Sequence, residues 1–526
     1  MKKKLMALLA VIMVITFTIS GCSSSGGSTK DGEMSKKNTM VYGAEFENDK
    51  INPILSATYE DDFFFRGLMR QDKNCVPQKD IAKDIEISAD KLTYTFTLRD
   101  DVKFHDGEKL TADDVVFTIK SIMDPKVNSG RATEFQEVAK IEKVDDYKVI
   151  ITLKQQFPPL LDKMTVGIVP EHILTGKDIN EAEFNHQPVG AGPYKFVNWT
   201  TGESLAMSRF DDYYGKTPKI ENIIFKFLPD YNTRAMQLES GEIDFTFIEP
   251  SQVEKIDKGE KTTVFKCNTA DYRCMEYNFA KTDLFKDVKV RQALNYATNK
   301  EEIVKSIAHG YGYAAYTPLQ SGKYINKDIE KYDFDTTKAG ALLGEAGWTK
   351  GSDGILEKNG KKFSFTLTAP VSDEVRVNIA NSLASEWKKM GIDVKVDALD
   401  WSAIDIYECE AFVLGFGSPF DPDTDTYPMF VSTQNKAPRQ NYGSYNNKVV
   451  DETLQAARVG TSDEERTKQY DAFQKALADD PAYDMICYLQ ALYGANKRVS
   501  GVSEERILGH HGIGVFWNIE DWSLND

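Results

Sequence analysis

Thr93-Tyr-Thr-Phe-Thr-Leu-Arg-Asp-Asp-Val-Lys-Phe-His-Asp-Gly-Glu-Lys-Leu-Thr-Ala-Asp-Asp-Val-Val-Phe-Thr118 is the stretch that decides the fold. Leu92, Tyr94, Phe96 and Leu98 alternate with Thr93, Thr95, Thr97 and Arg99. A strict period of two marks a strand with one buried face. Asp106-Gly107 is a turn signal. Thr111 then precedes Ala112-Asp113-Asp114, the pattern of a helix N-cap with acids in the first turn. Val115, Ile119 and Ile122 give that helix one apolar face. Strand, turn and amphipathic helix in one short run predict a mixed α/β fold.

The same grammar extends both ways. Strands are expected at Met40 to Ala44, Tyr147 to Leu153, Tyr194 to Trp199, Ile223 to Leu228, Phe363 to Leu367, Ile392 to Val396 and Phe412 to Phe416. Gly190-Ala191-Gly192-Pro193 reads as a turn or a close backbone approach. Helices are expected at Thr233 to Glu239 (stopped by Gly241), Thr336 to Ala346 (closed by Gly347), Val375 to Met390, Lys448 to Arg458 and Glu464 to Ala478. The apolar positions from Val290 to Ala308 fit one helical face, broken near Asn299. A chain of 526 residues exceeds what one core supports, so two or three domains follow.

The N-terminus reads as a leader. Lys2, Lys3 and Lys4 precede an apolar run from Leu5 to Ile19, too short to span a bilayer and right for a secretory signal. Ile19-Ser20-Gly21-Cys22 resembles a bacterial lipobox. The expectation is a signal peptide over residues 1–21, lipidation of Cys22, and a flexible Ser/Gly/Lys-rich tether over 22–38. Acyl chains would anchor the body at about 0.8 kcal/mol per buried CH₂.

The formal net charge of −17 argues against nucleic acid as a partner. The cysteines beyond Cys22 (Cys75, Cys267, Cys274, Cys409 and Cys487) are odd in number and do not form a disulfide framework. The histidines, with His510 and His511 adjacent near the C-terminus, show no metal-ligand spacing. His510-His511 reads as incidental. GxSxG, Walker A and GxGxxG motifs are all missing. The expectation is a protein that is not an enzyme and uses no cofactor and no resident metal.

The quoted stretch, with Gly190-Ala-Gly-Pro-Tyr-Lys-Phe196, Trp199, Asp212-Tyr-Tyr-Gly215, Gly241-Glu-Ile-Asp244 and Val290-Arg-Gln-Ala-Leu-Asn-Tyr-Ala297, resembles the oligopeptide/dipeptide/nickel-binding family of ABC-transporter solute-binding lipoproteins. The motifs run in order from residue 40 to about residue 480. The resemblance implies a two-lobed, periplasmic-binding-protein-like fold that closes on its ligand like a flytrap. It divides the chain into domain I (39–60, 187–274 and 495–526), an inserted domain II (61–186) and domain III (275–494). It implies a monomer on the outer face of the cell membrane, delivering peptides or peptide-like ligands to permease subunits with cytoplasmic ATPases. A nickel or metallophore receptor is the alternative within the family. An adhesive or chaperone lipoprotein is the alternative outside it.

The resemblance also nominates ligand contacts. The loop after the first strand offers Phe46 and Glu47, and Trp401 falls where similar receptors cover the ligand with an aromatic ring. Phe416, Gly417, Ser418, Asp421 and Asp423 form the loop that in peptide receptors holds the ligand's amino terminus. Here the loop is one residue shorter, and Ser418 or Pro419 stands where the amine-binding Asp would lie. Free-amine recognition is therefore not expected. Asp421, Asp423 or Asp425 would have to substitute, and each also reads as a turn cap. His105 reads as structural, and Arg131 as an anion contact or a plain surface arginine. In its bacterial host, Cys22→Ser should release the protein into the medium or leave an unprocessed precursor. Fractionation and an immunoblot check this, and normal processing with unchanged membrane retention would refute lipid anchoring at Cys22.

Overall fold

Alternation in the quoted stretch becomes burial. In the computed structural model, which describes residues 36–320 and 323–525, the strand Thr93–Leu98 buries Tyr94, Phe96 and Leu98. It lies in a four-stranded antiparallel sheet between Ala82–Ile87 and Lys148–Leu153, with Val138–Asp145 beyond the latter. The helix Ala112–Met123 begins at Thr111, whose backbone N–H donates to Asp114 Oδ2 at 2.8 Å. That contact belongs to a capping box, which satisfies amides that the first turn leaves unpaired. Residues 1–21, Cys22 and the tether up to residue 35 lie outside the described residues.

Two larger sheets carry the rest. The first has seven strands, in the order Thr262–Cys267, Ala491–Asn496, Phe245–Phe247, Thr39–Ala44, Asn222–Phe227, Ser204–Arg209 and Tyr194–Thr200. Thr39–Ala44 is parallel to both neighbours, and the other pairs are antiparallel. The chain leaves this sheet after Ala44, builds the four-stranded sheet, and returns through Gly190 and Gly192. A Cβ at Gly190 would lie 1.9 Å from the Phe64 carbonyl oxygen, and one at Gly192 would lie 2.3 Å from that of Phe63. The close approach read from the sequence is thus a steric requirement for glycine.

The second large sheet has six strands, in the order Gly312–Ala314, Tyr483–Leu489, Tyr272–Tyr277, Ala411–Phe416, Ser364–Pro370 and Asp393–Leu399. The helix Glu374–Lys389 covers part of it, burying Val375, Ile379, Ala380, Leu383 and Trp387 at helical spacing. The helical pattern after Val288 breaks where expected: Val288–Ala297 ends, and Asn299 caps Lys300–Ser306 by accepting from the Glu302 amide at 3.1 Å.

The chain crosses between the two large sheets at residues 268–271 and again at Gln490. The crossings run side by side: Leu489 N–H donates to the Asp271 carbonyl at 2.9 Å, and Thr269 Oγ1 donates to the Leu489 carbonyl at 2.6 Å. Residues 272–274 pair into the six-stranded sheet and residues 491–494 into the seven-stranded one.

An aromatic cluster ties the C-terminus to the seven-stranded sheet. The Phe516 ring lies 5.2 Å from Tyr42, 4.9 Å from Phe63, 5.9 Å from Phe225 and 5.4 Å from Trp522. Cys75, Cys267, Cys274, Cys409 and Cys487 are all free thiols. Among the described residues, no helix is long and apolar enough to cross a membrane. Phe516→Ala should destabilise the fold by about 3–5 kcal/mol through transfer and cavity terms. Urea unfolding of the two proteins measures this, and a loss below about 1 kcal/mol would show that the cluster is not a cornerstone of the core.

Candidate functional site

Charged side chains from both large sheets converge where the crossings meet the C-terminal turn. Glu45 follows the strand Thr39–Ala44 directly. Asp271 ends the first crossing, and Arg273 lies in the strand Tyr272–Tyr277. Asp373 caps the helix Glu374–Lys389 by accepting from the Arg376 amide at 2.9 Å, which sets the Arg376 side chain in the first turn. His510 and His511 sit in the turn His510–Gly512, with His511 in a left-handed conformation at φ 50°. Gly415 gives this cluster its room: a Cβ there would lie 2.6 Å from Arg273 Nη1 and 2.7 Å from Arg376 Nη2.

The two imidazoles differ. His510 Nδ1–H donates to Asp271 Oδ1 at 2.7 Å, leaving Nε2 to accept from Arg376 Nη2 at 3.1 Å. That is a neutral ring. Burial, with His511 and Arg273 nearby, pushes its pKa down to about 3 against the pull of Asp271. His511 lies with Nδ1 3.2 Å from Glu45 Oε1 and Nε2 3.4 Å from Asp373 Oδ2. Burial opposes its charge, but Glu45 and Asp373 raise its pKa to about 9. An imidazolium at His511 joins a carboxylate beside the seven-stranded sheet to one beside the six-stranded sheet, while Arg273 Nη2 and Arg376 Nη2 crowd its Nε2 at 3.3 and 3.4 Å. Burial works to raise the Glu45 carboxyl, yet His511 and Arg234 hold it below the usual range. Glu249, buried and facing Asp373 and Glu45, is pushed up to about 8.

The network is not fully satisfied. Arg376 Nε stands 2.9 Å from Asp373 Oδ2 and Arg273 Nη2 stands 3.6 Å from it. Even so, Arg273 Nε, Arg376 Nε, Asp373 Oδ2 and His511 Nδ1 are buried without an aligned hydrogen-bond partner. Buried polar atoms are ordinarily paired, so such a cluster needs an explanation.

The expected contacts divide into two groups. Phe46 and Trp401 are 43% and 51% exposed. Phe46 lies against Tyr59, with ring centroids 5.4 Å apart, and Arg376 packs over Trp401 at 5.6 Å. Phe416 stacks beside His510 at 6.5 Å. Gly417, at φ 147°, approaches Ala270 so closely that a Cβ would lie 1.9 Å from its carbonyl oxygen. These residues surround the charged cluster. The carboxylates are engaged elsewhere. Glu47 accepts from the Trp199 indole at 2.5 Å and the Gly202 amide at 2.8 Å. Asp421 takes both arms of Arg466 at 2.6 and 2.7 Å. Asp423 lies 3.4 Å from Arg458 and 3.8 Å from Lys163. The Ser418 amide donates to Asp425 Oδ2 at 3.1 Å, while Asp425 Oδ1 is buried without a partner. Arg131 is closed off by Glu134 at 3.0 Å. His105 accepts from the Gly190 amide and donates to the Gly192 carbonyl, both at 3.1 Å.

The reading of His510-His511 as incidental is corrected by this arrangement. Their partners are Asp271, Asp373, Arg376 and Glu45, all more than 100 residues away, so no local spacing could reveal them. Arg273 and Asp271 were also missed. Only Asp373 left a signal, as an acid one position before a helix.

A model of the family described as bacterial extracellular solute-binding proteins, family 5 Middle, matches residues 76–437. Protein XP55 of Streptomyces lividans is 33% identical over 92% of this chain and 90% of its own. The oligopeptide-binding protein AppA of Bacillus subtilis is 31% identical over 99% of each chain. Its solved structure with a nonapeptide superposes with a TM-score of 0.85, at 30% identity, covering 93% of this chain and 99% of that one. NikZ of Campylobacter jejuni, solved with Ni(L-His), superposes with a TM-score of 0.90, at 37% identity, covering 93% of this chain and all of that one.

The cluster should make stability depend on alkaline pH. His511 has its folded pKa raised from 6.5 to about 9, so its contribution is complete below 6.5 and lost as pH rises through about 9. Glu249, raised from 4.5 to about 8, has the same sign. The melting temperature should fall between pH 7 and about pH 10, and His511→Gln should flatten that fall. An equal slope in the variant, measured by calorimetry, would refute a charged His511.

Proposed function

Because the chain belongs to the bacterial extracellular solute-binding proteins of family 5, with their two-lobed, periplasmic-binding-protein-like fold and mixed sheets, we propose that it is the receptor lipoprotein of an ABC importer. Acyl chains on Cys22 hold it to the outer face of the membrane. As a monomer it captures a peptide or peptide-like ligand between its lobes and presents the closed form to the permease. Residues 61–186 are the inserted domain in this reading, and the paired crossings at 268–271 and Gln490 act as the hinge.

The observation that carries the reading is the half-satisfied ion network between the large sheets. It offers a donor at Arg273 Nε, while Arg376 Nε, Asp373 Oδ2 and His511 Nδ1 stand in ion pairs without an aligned hydrogen bond. A ligand with amide carbonyls, amide N–H groups and charged ends complements both kinds of atom. The exposed rings of Phe46 and Trp401 beside it would cover apolar parts of such a ligand.

A nickel chelate is the second reading, favoured by two imidazoles beside two guanidinium groups and by the likeness to a protein solved with Ni(L-His). Among the described residues, no group of three or more His, Cys, Asp or Glu side chains is placed to hold a bare ion. A chelator would have to bring most of the donors, and His511 would have to lose its proton to bind.

Mass spectrometry of gently isolated protein should identify bound peptides. A stoichiometric nickel–amino-acid complex instead would select the second reading. Asp421 and Asp423 are held by cations, so N-acetylation of a peptide identified in this way should change its Kd less than about tenfold, or roughly 1.4 kcal/mol. Calorimetry on the matched pair decides it. A hundredfold loss would show that a carboxylate of this loop, with Asp425 the first to test by Asp425→Asn, holds the amine.

A further inference from the structure

The four-stranded sheet and the segments attached to it face the helices Asp423–Phe430 and Lys448–Val459 across a polar seam. By backbone the two sides are distant. Residues 82–163 reach those helices only through the seven-stranded sheet and the first crossing at 268–271. Side chains nevertheless join them directly.

Each side buries a cation in the other. From the helix Lys448–Val459, Arg458 donates through Nη2 to the Thr133 carbonyl at 2.7 Å. Its guanidinium lies between Tyr427 of its own side and Phe157 of the opposite one, at 4.1 and 5.1 Å. In return, Lys163 donates to Thr424 Oγ1 at 2.8 Å. Asp423 serves both cations, 3.4 Å from Arg458 Nε and 3.8 Å from Lys163 Nζ. The side chains of Arg458, Lys163 and Asp423 are at most 4% exposed. Arg439 donates to Thr133 Oγ1, Gln136 to the Tyr427 hydroxyl at 3.4 Å, and Lys91 to the Thr461 carbonyl at 3.0 Å.

The seam differs from a domain core in two ways. It encloses a cavity of about 360 Å³, with Thr133, Lys163, Asp423 and Arg458 in its wall, where a core would be close-packed. Its contacts are hydrogen bonds, an ion pair across the seam and stacking of a cation on rings, made by groups that water solvates well once they part. Such an interface can separate and re-form, because desolvating the three charges offsets much of what their pairing contributes.

We propose that this seam is a clasp, in which Arg458 and Lys163 are positioning residues that hold the inserted domain against the lobe carrying the six-stranded sheet. The inference rests on the lobe-closing reading. It adds a contact other than the crossings themselves, one that a swing about them would break.

Hydrogen–deuterium exchange of the full chain, with no ligand added, reads the clasp directly, because amide exchange follows local opening. Arg458→Gln and Lys163→Gln should each speed exchange at least about tenfold in peptides covering 129–137 and in peptides covering 423–431, on both sides of the seam. Exchange in Tyr272–Tyr277, inside the six-stranded sheet, should not change. A purely local packing role for either side chain would loosen its own side alone. Small-angle scattering on the same samples should give both variants a larger radius of gyration than the wild type. If Arg458→Gln does not fold, Lys163→Gln decides by the same two readouts. Unchanged exchange on the side opposite the substitution overturns the clasp and leaves the lobe-closing reading standing. Loosening on both sides without expansion overturns the clasp and the closing reading together.

Discussion

The Asp271 carboxylate takes a hydrogen bond from the His511 backbone N–H at 3.0 Å, a second from His510 Nδ1 at 2.7 Å, and an ion pair from Arg273. It lies at the end of the first crossing between the large sheets, so one side chain fastens the C-terminal turn to one of the two backbone crossings. His511 would not choose its left-handed conformation unaided, since that region costs an L-residue about 1 kcal/mol or more. The bond to Asp271 holds its backbone there and turns the imidazole towards Glu45 and Asp373. Gly415 and Gly417 are the corresponding concessions on the six-stranded side, where no side chain fits beneath the guanidinium groups or against Ala270.

How much of this could be read in the chain depends on whether burial and sequence pattern agree. Thr93–Leu98 has one wet face, so its alternation is visible. The helices after Thr111, Asn299 and Asp373 begin with side chains whose capping chemistry is local. Tyr272–Tyr277 and Tyr483–Leu489 are buried on both faces, and they carry Arg273, Glu276 and Asp484 at positions where a pattern reader expects water. A charge inside a strand looks like an exposed position unless its partner is known, and these partners lie far along the chain. Tyr272–Tyr277 and Tyr483–Leu489 were therefore the least legible elements, and the first of them carries Arg273 to the site.

The site shows the same division. Phe46, Trp401 and Phe416 were nominated because the resemblance fixes segments by their order, and their rings lie against Tyr59, Arg376 and His510. Glu47, Asp421 and Asp423 were nominated as ligand contacts, and their carboxylates are held by Trp199, Arg466 and Arg458. Sequence lists carboxylates without saying which are already spent on a cation. Conversely, Arg458 reads as the basic last turn of an amphipathic helix. Only its position between two rings, with Nε beside Asp423 and Nη1 buried without a hydrogen-bond partner, distinguishes it from a solvated arginine.

The arrangement bears on how the proposed receptor would avoid closing on nothing. Bringing Glu45, His511, Asp373 and Arg376 together removes their water, and for buried ion pairs the desolvation penalty rivals the Coulomb attraction that replaces it. Pairing here is also incomplete, because atoms of Arg273, Arg376, Asp373 and His511 find no aligned partner within the protein. Each such atom costs about 1–3 kcal/mol when buried unsatisfied. In the proposed closing receptor, these costs would oppose closure without ligand. On that proposal, a ligand that pairs those atoms would favour a closed form over an open one. That difference in affinity is what shifts the population towards closure.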